Sequence, residues 1–340
     1  YHEKTRYVRP LKVLHRHSPT MNMIHRWTDH GFEPVSASAI ISDILTSSHW
    51  SGLTSDNRPS AWERAFVEAQ GNPEGEVVGE GLSGQSQATF QRLTRMIVSR
   101  DENMLQLVFR YFSMDDILSM QRRMIGTGLI GGKAVGMLLA RAILERSGKF
   151  DTLLEPHDSF YLGSDVFYTF LVENGIWWTR QKQMNPSTFL EVAEGARSRI
   201  LTGRFPDYLL QQLRDMLDYF GQSPLIVRSS SLLEDNYGNA FAGKYESVFC
   251  TNQGHRERRL DDLLAAIRTV YASTMSEVAL RYRARRGLLQ HDEQMALLIM
   301  RVSGDMHGRH FFPAAAGVGY SFNPYAWSEH IDPKAGVLRL

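Results

Sequence analysis

The chain has 340 residues, 43% of them hydrophobic and 22% charged, so it is long enough to bury more than one core and too apolar for a largely disordered chain. Lysine and arginine total 38 against 37 aspartate and glutamate, and the formal charge of +1 offers no global field for nucleic acid or an anionic membrane. One cysteine, Cys250, excludes an intramolecular disulfide and a cysteine-based zinc site, and it fits a reducing, cytoplasmic setting. No apolar run approaches the roughly 18 residues of a membrane span. The chain opens on Tyr1 without an apolar leader and stops at Leu340 in an extended-looking stretch, as expected of a piece of a longer protein.

Residues 1 to about 70 scatter His15, His17, His25 and His30 among arginine and proline without a period, and no fold is read there. Gly71 to Gln87 holds five glycines among small polar residues and predicts a flexible linker. The expected division is therefore an N-terminal region of unknown role, 1–88, and a second domain, 89–340. Thr89 to Met124 carries apolar residues at helical spacing, with Ser113 and Asp115 as caps between segments. Helices are predicted over Val135 to Leu144, Asp165 to Glu173 and Tyr208 to Phe220, and one long helix over Leu260 to Arg286. Strands are predicted at Ser159 to Leu162 and Leu225 to Val227. Met295 to Val302, Ala314 to Phe322 and Val337 to Leu340 are expected in one sheet. Helices alternating with strands predict an α/β or α+β domain.

Two loops carry chemistry. Gly126, Gly128 and Gly131 satisfy G-x-G-x-x-G, with Asp151 downstream, but Gln121, Arg122 and Arg123 cannot form the buried strand that a dinucleotide fold needs. A P-loop would require glycine at Thr127 and a hydroxyl at Ala134. What remains is a glycine turn, Gly131-Gly132, then Lys133 and a helix whose first amides suit a phosphate. The second loop leaves an apolar strand as Arg228, Ser229, Ser230 and Ser231 and continues through Glu234, Asp235, Gly238 and Gly243. It reads either as a polyphosphate cradle or as a serine-rich turn with Arg228 paired to Glu234 or Asp235.

Gly131-Gly132-Lys133, the segment Pro156 to Gly175, Phe205-Pro206, and VRSSSLLED with Phe241-Ala242-Gly243 occur in an order that resembles one family. This is the N-terminal ATP-grasp, or pyruvate phosphate dikinase nucleotide-binding, domain of the phosphoenolpyruvate synthase and pyruvate phosphate dikinase enzymes. The resemblance covers about residues 100 to 340 and implies a two-lobed ATP-grasp domain. It implies that Lys133 and Arg228 bind ATP phosphates as the catalytic cations, that Gly131, Gly132, Ser229, Ser230, Glu234 and Asp235 belong to the nucleotide site, and that Gly238, Phe241, Ala242 and Gly243 close over it. It also implies magnesium, with ligands unknown near or past Leu340, and a histidine on a swivelling domain that passes phosphate to pyruvate.

The chain departs from that pattern at Met300, where relatives carry glutamine beside the adenine, and Thr46-Ser47-Ser48-His49 only echoes the phosphorylated histidine's motif. The expected activity is an ATP-dependent phosphotransferase of dikinase type. Another acceptor, glucan or antibiotic, and a non-catalytic nucleotide-binding regulatory module are the alternatives. Arg281, Arg283, Arg285 and Arg286 are read as a solvated helix end. His307 and His310 are read as turn residues, and Trp177 and Trp178 as packing surface.

Overall fold

The computed structural model describes residues 7–8, 25–28, 31–34, 61–70, 75–155, 157–234, 243–291, 293–323 and 325–340. The chain divides into two compact units, 1–300 and 301–340. In the first unit, β1 (Tyr7–Val8), β2 (His25–Thr28) and β3 (Gly31–Pro34) form a small antiparallel sheet, and α1 (Ala61–Gln70) follows. Thr46 to His49 lies outside the described residues.

The helical approach predicted over Thr89 to Met124 is three helices, α2 (Gly84–Ile97), α3 (Glu102–Tyr111) and α4 (Met114–Arg122). Ser113 caps α4 in a capping box with Asp116, each satisfying the other's exposed amide. The described part of the glycine-rich stretch is docked, not free. The Gly79 amide donates to the Phe112 carbonyl at 2.9 Å and the Asp115 amide to the Gly75 carbonyl at 2.9 Å. Phe66 of α1 is buried in the same cluster as Phe90 and Leu93 of α2, and Arg92 meets Glu68 at 2.7 Å.

Next come β4 (Met124–Ile125), α5 (Gly132–Ser147), β5 (Ser159–Leu162), α6 (Ser164–Glu173), α7 (Trp177–Lys182), α8 (Ala193–Thr202) and α9 (Asp207–Phe220). They are followed by β6 (Leu225–Ser231), β7 (Ser247–Cys250), α10 (Arg256–Ser273), α11 (Glu277–Arg285) and β8 (Met295–Arg301). The strands form one mixed sheet in the order β4-β5-β8-β6-β7. β4 runs parallel to β5, while β5 and β8, and β6 and β7, are antiparallel. Alternation along β8 sends Leu297 and Ile299 into a core shared with α6, α9 and α10, and Leu298 into the core of α2, α4 and α5. Helices therefore cover both faces, which explains why β8 reads as a continuous apolar run.

Two expectations are corrected. The single helix predicted over Leu260 to Arg286 breaks between Ser273 and Glu277, because the Ser276 side chain accepts from the Ala279 amide at 3.2 Å and starts α11. The C-terminal strands do not share one sheet. In the second unit, among the described residues, β11 (Val318–Tyr320) pairs only with β12 (Val337–Arg339), after a hairpin of β9 (Asp305–His307) and β10 (His310–Phe312). Their side chains are largely exposed, so nothing like the two-sided burial of β8 draws them into the central sheet. His307 and His310 flank the hairpin turn, as read from the sequence. Trp177 packs edge-on against Tyr168, with ring centroids 5.8 Å apart, while Trp178 is exposed.

Candidate functional site

β4 leaves the sheet into the turn 126–131, and α5 starts at its far end. Gly131 sits at φ 82°, in the left-handed region, and a Cβ there would come within 1.4 Å of the Ser230 carbonyl oxygen. A Cβ on Gly132 would lie 2.3 Å from the Glu234 carbonyl. Glycine is needed at both positions because the second loop passes directly over the turn. Ser230 Oγ fastens the two together, donating to the Ile130 carbonyl at 2.9 Å and accepting from the Ala134 amide at 3.1 Å. The Gly132 and Lys133 amides in the first turn of α5 have no acceptor among the described residues.

Lys133 is held rather than free. Its Nζ lies 2.7 Å from Glu234 Oε1 and 2.9 Å from Ser229 Oγ. Glu234 is 3% exposed and also accepts from Ser229 Oγ at 3.0 Å and the Ser231 amide at 3.0 Å. Burial raises the Glu234 carboxyl above its ordinary value, and Lys133, the Ser231 amide and Ser229 offset part of that rise. Arg228, half-buried on β6 opposite Ser247, has no ion-pair or hydrogen-bond partner among the described residues. Of the two cations expected to bind phosphate, Lys133 is the one neutralised by Glu234.

With that geometry in view, the model of the pyruvate phosphate dikinase, AMP/ATP-binding domain family matches residues 127–333. The chain belongs to this family. Among curated proteins none matches the chain. As a pyruvate phosphate dikinase AMP/ATP-binding domain, the chain is an ATP-binding domain of ATP-grasp type, in keeping with its mixed α/β architecture. Among the described residues no helix is long and apolar enough to cross a membrane.

Of the residues that sequence reasoning assigned to the dikinase-family site, the fold brings together Gly131, Gly132, Lys133, Ser229, Ser230 and Glu234. Arg228 follows on the same strand. Gly243 is described at φ 68°, whereas Asp235, Gly238, Phe241 and Ala242 lie outside the described residues. Met300 is half-buried against the core of α2, α4 and α5.

Three residues beside the site escaped sequence reasoning. Glu293, fully buried just before β8, accepts from Ser231 Oγ on Oε1 and from the Tyr245 hydroxyl on Oε2, and Arg283 Nη1 lies 3.7 Å from that second oxygen. It thus links the chain before residue 235 to the chain after 242. Arg283, expected to be solvated, is buried there and donates to the His291 carbonyl at 2.7 Å. Burial, and next the Glu293 charge, push the Tyr245 hydroxyl well above its ordinary value. The only sequence signal was the acidic pair Asp292-Glu293 ahead of an apolar strand, which by itself identifies no partner.

Proposed function

We propose that this domain holds MgATP for a dikinase-type phosphotransferase, which passes phosphate to a histidine on a swivelling domain and then to pyruvate. The observation that carries the reading is the fastening of the Gly131-Gly132-Lys133 turn to the Arg228–Ser231 strand end through Ser230. This leaves two helix amides and one arginine without acceptors among the described residues. A donor set of amides, a hydroxyl and a permanently charged guanidinium suits phosphate oxygens.

Phosphoryl transfer needs positioning and charge neutralisation more than a protein nucleophile. Arg228 would contact the phosphates directly. Lys133, held by Glu234 and Ser229, would present its remaining ammonium hydrogen to the same group. Magnesium, when bound, would screen phosphate charge. Among the described residues no three His, Cys, Asp or Glu side chains converge to hold it, and no ligand set is assigned.

Calorimetry with MgATP tests the binding. Arg228→Ala is expected to weaken affinity about ten- to a hundredfold, from the roughly 1.5–3 kcal/mol of a charge-assisted contact. Arg228→Lys should recover only part of that, because an ammonium lacks the bidentate fork. No heat at millimolar MgATP would remove the proposal. AMP rather than ADP is the expected nucleotide product when the histidine domain is supplied, and ADP alone would argue for another kinase chemistry.

A further inference from the structure

A cavity of about 250 Å³ lies among α4, α5 and β5, at the opposite end of the sheet from the glycine turn. The topology sets that separation. β4 and β5 run parallel, and Arg123 and His157 precede their first residues, whereas the turn 126–131 and Ser164 follow their last. α5 runs back from Lys133 at the turn to Arg141 at the cavity, eight residues and so about 12 Å along the helix.

The polar atoms facing this cavity are unevenly satisfied. Tyr161 is 1% exposed and its hydroxyl has no hydrogen-bond partner among the described residues. His157 Nδ1 is buried and likewise unpartnered. Arg141 uses Nε on Glu145 at 2.7 Å and Nη1 on the Glu155 carbonyl at 2.6 Å, leaving Nη2 without a described partner. Arg123 is engaged by Asp158 at 3.0 Å and the Tyr219 hydroxyl at 2.9 Å. Ser119 adds an exposed hydroxyl. The two lining carboxylates are already committed, Glu145 to Arg141 and Asp116 to the Ser113 amide and hydroxyl at 2.7 and 2.9 Å.

The open capacity is therefore rich in donors, beside an apolar wall that includes Leu138 and Ala142. Of these atoms His157 Nδ1 is wholly buried, and an unpaired buried polar atom is costly unless a ligand or water meets it. The field points the same way. Burial, then Arg141 and Arg123, hold the His157 imidazolium below its ordinary range, outweighing Glu145 and Asp158.

We infer that this cavity is a second ligand site, separate from the nucleotide site, for a small organic acid whose carboxylate meets Arg141 and Tyr161 and whose compact apolar body lies against α5. The volume falls below the roughly 300 Å³ at which drug-sized pockets begin, so the ligand is of single-ring size. The inference does not depend on the phosphotransfer reading.

The test is calorimetric titration of the whole chain with sodium benzoate, with and without saturating MgATP. We expect a dissociation constant near ~1 mM, reasonable for so few atoms. MgATP should leave it unchanged. Tyr161→Phe, which removes only the hydroxyl, and Arg141→Gln should each weaken it about fivefold or more; melting curves on the same samples check the fold, and a loss in either folded variant supports the site. Absence of binding up to 20-fold that concentration, displacement by MgATP, or binding that neither folded variant weakens would overturn it.

Discussion

Lys133 Nζ lies 2.7 Å from Glu234 Oε1, across 101 residues of sequence, and it joins the glycine turn to the serine loop through a carboxylate almost wholly withdrawn from water. Removing one partner of such a pair costs more than removing both, because the remaining charge is left buried. Lys133→Ala should therefore lower unfolding free energy by about 3 kcal/mol, and adding Glu234→Gln should restore most of it. Denaturant melts of the two single variants and the double variant test this cycle. Additive losses would show that the pair is not coupled.

The pH dependence of Glu234 has a definite sign. Its carboxyl is raised on folding, so the folded chain holds that proton more tightly than the unfolded chain. Its stabilising contribution is fully present below the ordinary carboxylate value, about 4.3, and is lost as pH rises through the raised folded value. The stability difference between the parent chain and Glu234→Gln should thus shift against the parent as pH climbs from about 4. A difference that stays flat or moves the other way would contradict the burial-dominated environment.

Cys250 closes β7, buried opposite Leu225, and burial, reinforced by Asp262, pushes its thiol up to about 11. The thiolate is the reactive species, so native protein at pH 8 should resist iodoacetamide and label only on unfolding. Rapid labelling without denaturant would show that this end of the sheet opens readily.

We propose that residues 61–70 and 75–88 belong to the same folded core as α2, in place of the boundary expected at residue 88. Phe66 is fully buried with Phe90, so Phe66→Ala should cost about 3–5 kcal/mol. Thermal melting of the whole chain decides the matter: a loss under about 1 kcal/mol would return α1 to a separate region.

The sequence by itself determined the features that depend on local geometry and on motif order. The glycines of the 126–131 turn, the Ser113 cap, the apolar runs of β6 and β8, and the GGK and VRSS segments were legible because backbone dihedrals, side-chain period and short motifs are written in neighbouring residues. The tertiary structure alone decided which charges meet. Glu234 went to Lys133 and not to Arg228, and Arg283 was drawn inside to Glu293. Those outcomes turn on which side chains the sheet order brings within about 4 Å in a dry interior, where an unpaired charge is costly. Composition and periodicity do not encode that distance.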